Sequence, residues 1–168
     1  MKVLFLICFL IVEACSKNCV HEWRSYHGTL EPMYYGVFVG SFDTGVPIFV
    51  GRGSYDDLKV TGRIQTTHPT GLYHISGGSV HHIKSGMEYL VKNPNYDYKW
   101  IPSINGEFIE DAISPGYTPS REVHFVGRIK IDGRTFYGKM IPNVGLHYEN
   151  ANGDEIIAQK YEMLVCTV

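Results

Sequence analysis

The tetrapeptide Phe-Val-Gly-Arg occurs twice, at 49–52 and again at 125–128, and it does not recur alone. Trp23 followed by Gly28 is answered by Trp100 followed by Gly106, Gly62-Arg63 by Gly138-Lys139, and Glu88-Tyr89-Leu90-Val91 by Glu162-Met163-Leu164-Val165. Four anchors in the same order at a spacing of about 75 residues mark an internal duplication. Whatever one half folds into, the other must fold into as well. A unit of about 75 residues is too short to bury a sufficient core alone. The halves are therefore expected to pack together about a pseudo-twofold axis.

Within each unit the apolar runs are short, β-branched and aromatic: "VPIFVG", "EYLV", "EVHFVGRI", "YEMLV". Gly, Pro and Asn cut them at near-hairpin intervals, with Asn152-Gly153 a good tight-turn pair. No stretch beyond the first residues keeps a helical period over a dozen positions. The expected fold is all-β: two tandem antiparallel β repeats, at 17–91 and 99–168, joined by the polar linker 92–98 into one compact domain.

Residues 1–16 are expected to be a signal peptide. Lys2 supplies the positive start, and Val3 to Val12 is an apolar run of about ten residues, well short of the ~20 needed to span a bilayer. Ala14-Cys15-Ser16 fits a cleavage site before Lys17; cleavage after Ala14 is the competing choice. Of the four cysteines, the first cut leaves only Cys19 and Cys166, one pair for an oxidising compartment, and a bridge between them would tie the two ends together. The second cut leaves three. A net charge of −2 offers nothing to a nucleic-acid backbone. No nucleophile elbow, phosphate loop or paired catalytic carboxylate is present, and His81-His82 face opposite sides of a strand, so a non-enzymatic protein without cofactor or metal is expected.

Taken together, Trp23, Gly40-Ser41-Phe42-Asp43, Phe49 to Arg52, Gly62-Arg63 and Glu88 to Val91 resemble one DM-nine repeat. Trp100, Phe125 to Arg128, Gly138-Lys139, Gly153-Asp154-Glu155 and Tyr161 to Val165 resemble a second. Tandem pairs of this unit occur in invertebrate mannose-binding lectins and in the lectin-like part of natterin-like toxins. The resemblance implies a secreted lectin-like protein that recognises mannose-type or microbial glycans in innate immunity or in a secretion. The alternative is an extracellular structural or toxin-type component without sugar binding. The implied sugar contacts are the Asp of the G-x-D turn and the Lys of the G-K. The first unit keeps Asp43 but carries Arg63 in the Lys place. The second keeps Lys139 but has Thr118 where the acid would fall; it retains the later acid, Glu155, where the first unit has Val80 or His81.

The chemistry suits a polyol, because a carboxylate accepts from two vicinal hydroxyls while a cation donates to the remaining lone pairs. The bland reading of Asp43 and Arg63 is a surface ion pair, and of Lys139 an exposed side chain after a turn. Two charged contacts imply weak monosaccharide binding, so recognition would need several copies, through a homodimer or a multivalent surface. Arg52 and Arg128 recur, which favours framework ion pairs with Glu88 and Glu162. The two Trp residues are expected in the core, with sugar stacking as the other option.

Overall fold

Each FVGR segment lies in the longest central strand of its own antiparallel sheet. A computed structural model describes residues 19–41, 45–67, 71–76, 78–117 and 122–168. The expected leader at 1–16 lies outside them. The first sheet contains β1 (Trp23–Tyr26), β2 (Phe38–Ser41), β3 (Pro47–Tyr55), β4 (Leu58–Gln65), β5 (Gly71–Ser76), β6 (Ser79–Ile83) and β7 (Met87–Leu90). The second contains β8 (Asp97–Ile104), β9 (Gly116–Tyr117), β10 (Val123–Ile131), β11 (Arg134–Ile141), β12 (Gly145–Glu149), β13 (Glu155–Ala158) and β14 (Lys160–Thr167). Their orders are β1-β7-β3-β4-β5-β6 and β8-β14-β10-β11-β12-β13, with β2 on β3 and β9 on β10. One strand order is thus used twice. The only helix among the described residues is a single turn, α1 (Pro32–Tyr35), so the chain is all-β.

The backbone repeats in detail. The Val37 N–H donates to the Leu90 carbonyl and the Ile113 N–H to the Leu164 carbonyl, both at 2.9 Å. Val50 donates to Val37, and Val126 to Ile113, both at 3.1 Å. The β3–β4 turn holds Asp56 and Asp57 at φ of 47° and 62°, and the β10–β11 turn holds Asp132 and Gly133 at 49° and 79°. Positive φ at both central residues matches the twist of the flanking strands, and Asp and Gly tolerate it better than most residues.

Period-two alternation explains the repeated tetrapeptide letter by letter. Phe49 and Phe125 turn toward their own sheet's core. The first such core includes Val60, Ile64, Leu72 and Tyr89, and the second Met140, Leu146, Tyr161 and Met163. Val50 and Val126 turn the other way, into one core shared by both sheets with Val37, Leu90, Ile113 and Leu164. The glycines face the private cores. A Cβ at Gly51 would come within 2.6 Å of Ile64 and Leu72, and one at Gly127 within 2.5 Å of Leu146. Their cross-strand partners are also glycines, Gly62 and Gly138.

The arginines return to the shared side. Arg52 pairs with Glu88 through Nε at 2.8 Å and Nη2 at 3.1 Å, while its guanidinium lies 4.5 Å from the Trp23 ring centroid. Arg128 Nε meets Glu162 at 2.6 Å and the guanidinium lies 4.3 Å from Trp100. Both Trp rings are half-buried lids on an arginine and pack against the shared core. Further ties join the two units: Arg52 Nη1 to the Pro115 carbonyl at 3.2 Å, the Tyr137 hydroxyl to the Val39 carbonyl at 2.9 Å, and the Cys19–Cys166 disulfide, whose Cα atoms are 6.2 Å apart.

Candidate functional site

The pairing register sets one row of side chains on the inner face of each sheet. Val50 lies opposite Arg63, Arg63 opposite Tyr73, and Tyr73 opposite His82, from β3 to β6. In the second sheet Val126 lies opposite Lys139, and Lys139 opposite His147. Arg63 and Lys139 are thus equivalent bases, each one strand out from the shared core. Thr61, Arg63, Tyr73, Tyr137, Gly138 and Lys139 help to line a cavity of about 20 Å³ where β4 faces β11. That volume has room for about one water molecule.

Neither base is a loose surface charge. Arg63, only 13% exposed, donates from Nη2 to Glu149 Oε2 at 2.7 Å, and its guanidinium lies 5.2 Å from the Tyr73 centroid. The carboxylate comes from the other sheet. Lys139 is 8% exposed, which removes the bland reading of an exposed side chain after a turn. The turn is several residues away, and Lys139 stands in mid-strand on the inner face. Burial pulls its pKa below the ordinary lysine value, while Glu155 and Glu122 act in the opposite sense.

Glu155 is bonded to His147 Nδ1 at 2.7 Å and accepts the backbone N–H of Gly78, from the β5–β6 hairpin of the first sheet. Burial works against its charge, but His147, the Gly78 N–H and Lys139 together hold its pKa below the ordinary carboxylate value. His124, buried beside this group, has its pKa depressed first by burial and then by the Lys139 charge; Glu122, 3.4 Å away, opposes the shift.

The residues singled out from sequence therefore separate. Lys139 and Glu155 come together electrostatically in the second sheet. Arg63 reaches across to the same neighbourhood. Asp43 and Thr118 lie outside the described residues, so an Asp43–Arg63 pairing stays an expectation. His147, His124, Glu122 and Glu149 complete the cluster, and no sequence motif marks any of them. Counting back from a two-residue Asn152-Gly153 turn would have set Glu149 opposite Ile156; the hairpin is one residue longer, and Glu149 lies opposite Glu155. Nothing local announces that Arg63 finds Glu149 or that Gly78 finds Glu155. Among the described residues there is no cluster of three or more His, Cys, Asp or Glu able to hold a metal, and no helix long and apolar enough to cross a membrane.

These features define a class: a duplicated antiparallel sheet protein whose inner faces meet over paired charges. The family model for the DM9 repeat matches residues 70–158, more than half of the chain, and the protein belongs to that family. No curated protein matches it. Among solved structures it is similar to the nematode sperm cell motility protein MFP2B, at 19% identity and a TM-score of 0.67, over 90% of this chain. The chain spans 47% of that protein's length. At this identity the likeness is one of fold.

Proposed function

We propose that this is a secreted, non-enzymatic carbohydrate-recognition protein, taking mannose-type or microbial-surface glycans at the rim of the charged cluster between the sheets. The observation that carries the reading is the pairing of bases and acids there: Arg63 with Glu149, and Lys139 close to Glu155 and its His147 partner. Acceptors and donors alternating along one edge are what vicinal hydroxyls require. The cavity admits about one water, so a hexose engages the rim and does not enter. In this reading Asp43 supplies the acid of the first unit, with Arg63 beside it. Membership of the DM9 family, which is associated with sugar-binding proteins, supports the proposal. The Cys19–Cys166 bridge supports the secreted location, because such bonds persist in oxidising compartments.

Binding of the purified secreted chain to a mannan-coated surface tests this directly. Asp43→Ala is expected to abolish retention and Arg63→Lys to preserve it. If Asp43→Ala binds as wild type and Lys139→Ala does not, the site belongs to the second unit. The intact mass of the secreted form should begin at Lys17; a chain retaining Met1 contradicts secretion by the leader. A second reading, a structural component without sugar binding, is favoured by the small size of the cavity. It prevails if no glycan on an array is retained and Arg63→Ala merely lowers stability.

A further inference from the structure

The two units share a backbone but not a surface. Gly36 bridges Val91 as Ala112 bridges Val165, which aligns α1 with the segment before Ile113. Tyr34-Tyr35 then stand where the second unit has Glu110-Asp111, and Phe38 where it has Ser114. Packing of the repeat therefore does not require the aromatics, yet Tyr34 is 78% and Phe38 57% exposed. Large apolar rings held in water at neighbouring positions point to an interaction.

They also wall a cleft. Tyr34, Phe38, Tyr96 and Tyr98 line a depression of about 590 Å³ with Lys92 and Asp97 among its polar groups. Its walls are braced: Tyr96 and Tyr98 pack on the shared core, and Phe38 sits edge-on against buried Phe49 at 5.9 Å. The Tyr96 hydroxyl accepts the Val20 N–H at 3.1 Å and retains a proton to donate. Asp97 is exposed and lies 3.7 Å from the ammonium of Lys99, itself exposed.

We propose that this cleft is a second ligand site, for a neutral pyranose, separate from the Arg63–Lys139 cluster. The volume falls within the range of small-ligand sites. One ammonium and one carboxylate balance, which suits an uncharged ligand with donors and acceptors together. The ring C–H face of a pyranose lies on the aromatic walls, and its hydroxyl edge reaches the phenols, Lys92 and Asp97. An acyl chain would satisfy the rings but strand both charges against hydrocarbon.

The test is an NMR titration of the full secreted chain with three probes: methyl α-mannoside, N-acetylglucosamine and cellobiose. At least one probe is expected to give saturating shifts at Tyr34, Phe38, Tyr96 and Tyr98. Tyr34→Ala and Phe38→Ala, both at exposed positions, should each weaken that binding about five- to tenfold, with spectra elsewhere unchanged. Tyr34→Phe should keep most of it, and Lys139→Gln should not alter the cleft shifts. Shifts confined to Lys139, His147 and Glu155 would overturn the cleft assignment while leaving the rim site standing. Absence of shifts with all three probes overturns it too. So does perturbation of the cleft only by phosphatidylcholine vesicles, or only by raising the protein concentration, which would assign it to lipid or to a second copy.

Discussion

Arg52 and Arg128 show what a single residue type does here that its nearest relative cannot. Each guanidinium stacks beneath an indole while donating in its own plane to a glutamate, and a lysine ammonium offers one of these at a time. Arg128→Lys is accordingly expected to cost about 1–2 kcal/mol in urea unfolding. Titration follows the same residues. Burial depresses the pKa values of His21 and His124, so the unfolded chain binds their protons first. Their contribution is complete above about pH 6.5, the unfolded value, and fades as pH falls through the lower folded values. Glu88, held below the ordinary carboxylate range chiefly by its Arg52 hydrogen bond, adds a second loss at more acid pH. Tm measured against pH should therefore fall in two stages, and His124→Gln should shrink the first. A Tm that is flat from pH 7 to pH 5 would contradict this.

Among the elements, the β3–β4 and β10–β11 hairpins depend on facing glycines. The two glycines of the second hairpin differ in what surrounds them. A Cβ at Gly127 would meet the Leu146 side chain at 2.5 Å, which can turn aside. A Cβ at Gly138 would collide with the His147 carbonyl oxygen, and a backbone atom in a paired strand cannot yield without breaking the ladder. Gly127→Ala is expected to lose about 1–3 kcal/mol, and Gly138→Ala distinctly more, by denaturant unfolding. Equal losses would mean that β12 moves more freely than its pairing implies.

At the scale of the whole molecule, stability rests on contacts between the units. The shared core takes Val37, Val39, Ile48, Val50 and Leu90 from the first and Ile113, Val126, Tyr137, Leu164 and Cys166 from the second. A fragment covering 17–98 alone would expose its half of that core, and it should show molten, non-cooperative unfolding by circular dichroism. The disulfide closes a separation of 147 residues, so reduction should cost about 3–5 kcal/mol by chain-entropy reasoning. A reduced protein with unchanged denaturant midpoint would show that the bridge adds nothing.

The sequence by itself determined the duplication, the strand alternation, the turns and the disulfide. Each is written in short-range order: a period of two, an acid or glycine at positive φ, a tetrapeptide that recurs because every side chain in it has a fixed direction. It also identified Arg52–Glu88 and Arg128–Glu162, since residues repeated in both halves must serve what the halves have in common. Only the tertiary structure decided the rest. Arg63 finds Glu149 and Gly78 finds Glu155 through the distance and angle between two sheets, which no local pattern encodes. Lys139 is buried because its strand faces the partner sheet, and a G-K dipeptide reads the same on either face. The aromatic cleft assembles from α1, β2 and the start of β8, segments far apart in the chain that meet only because the shared core draws both units together.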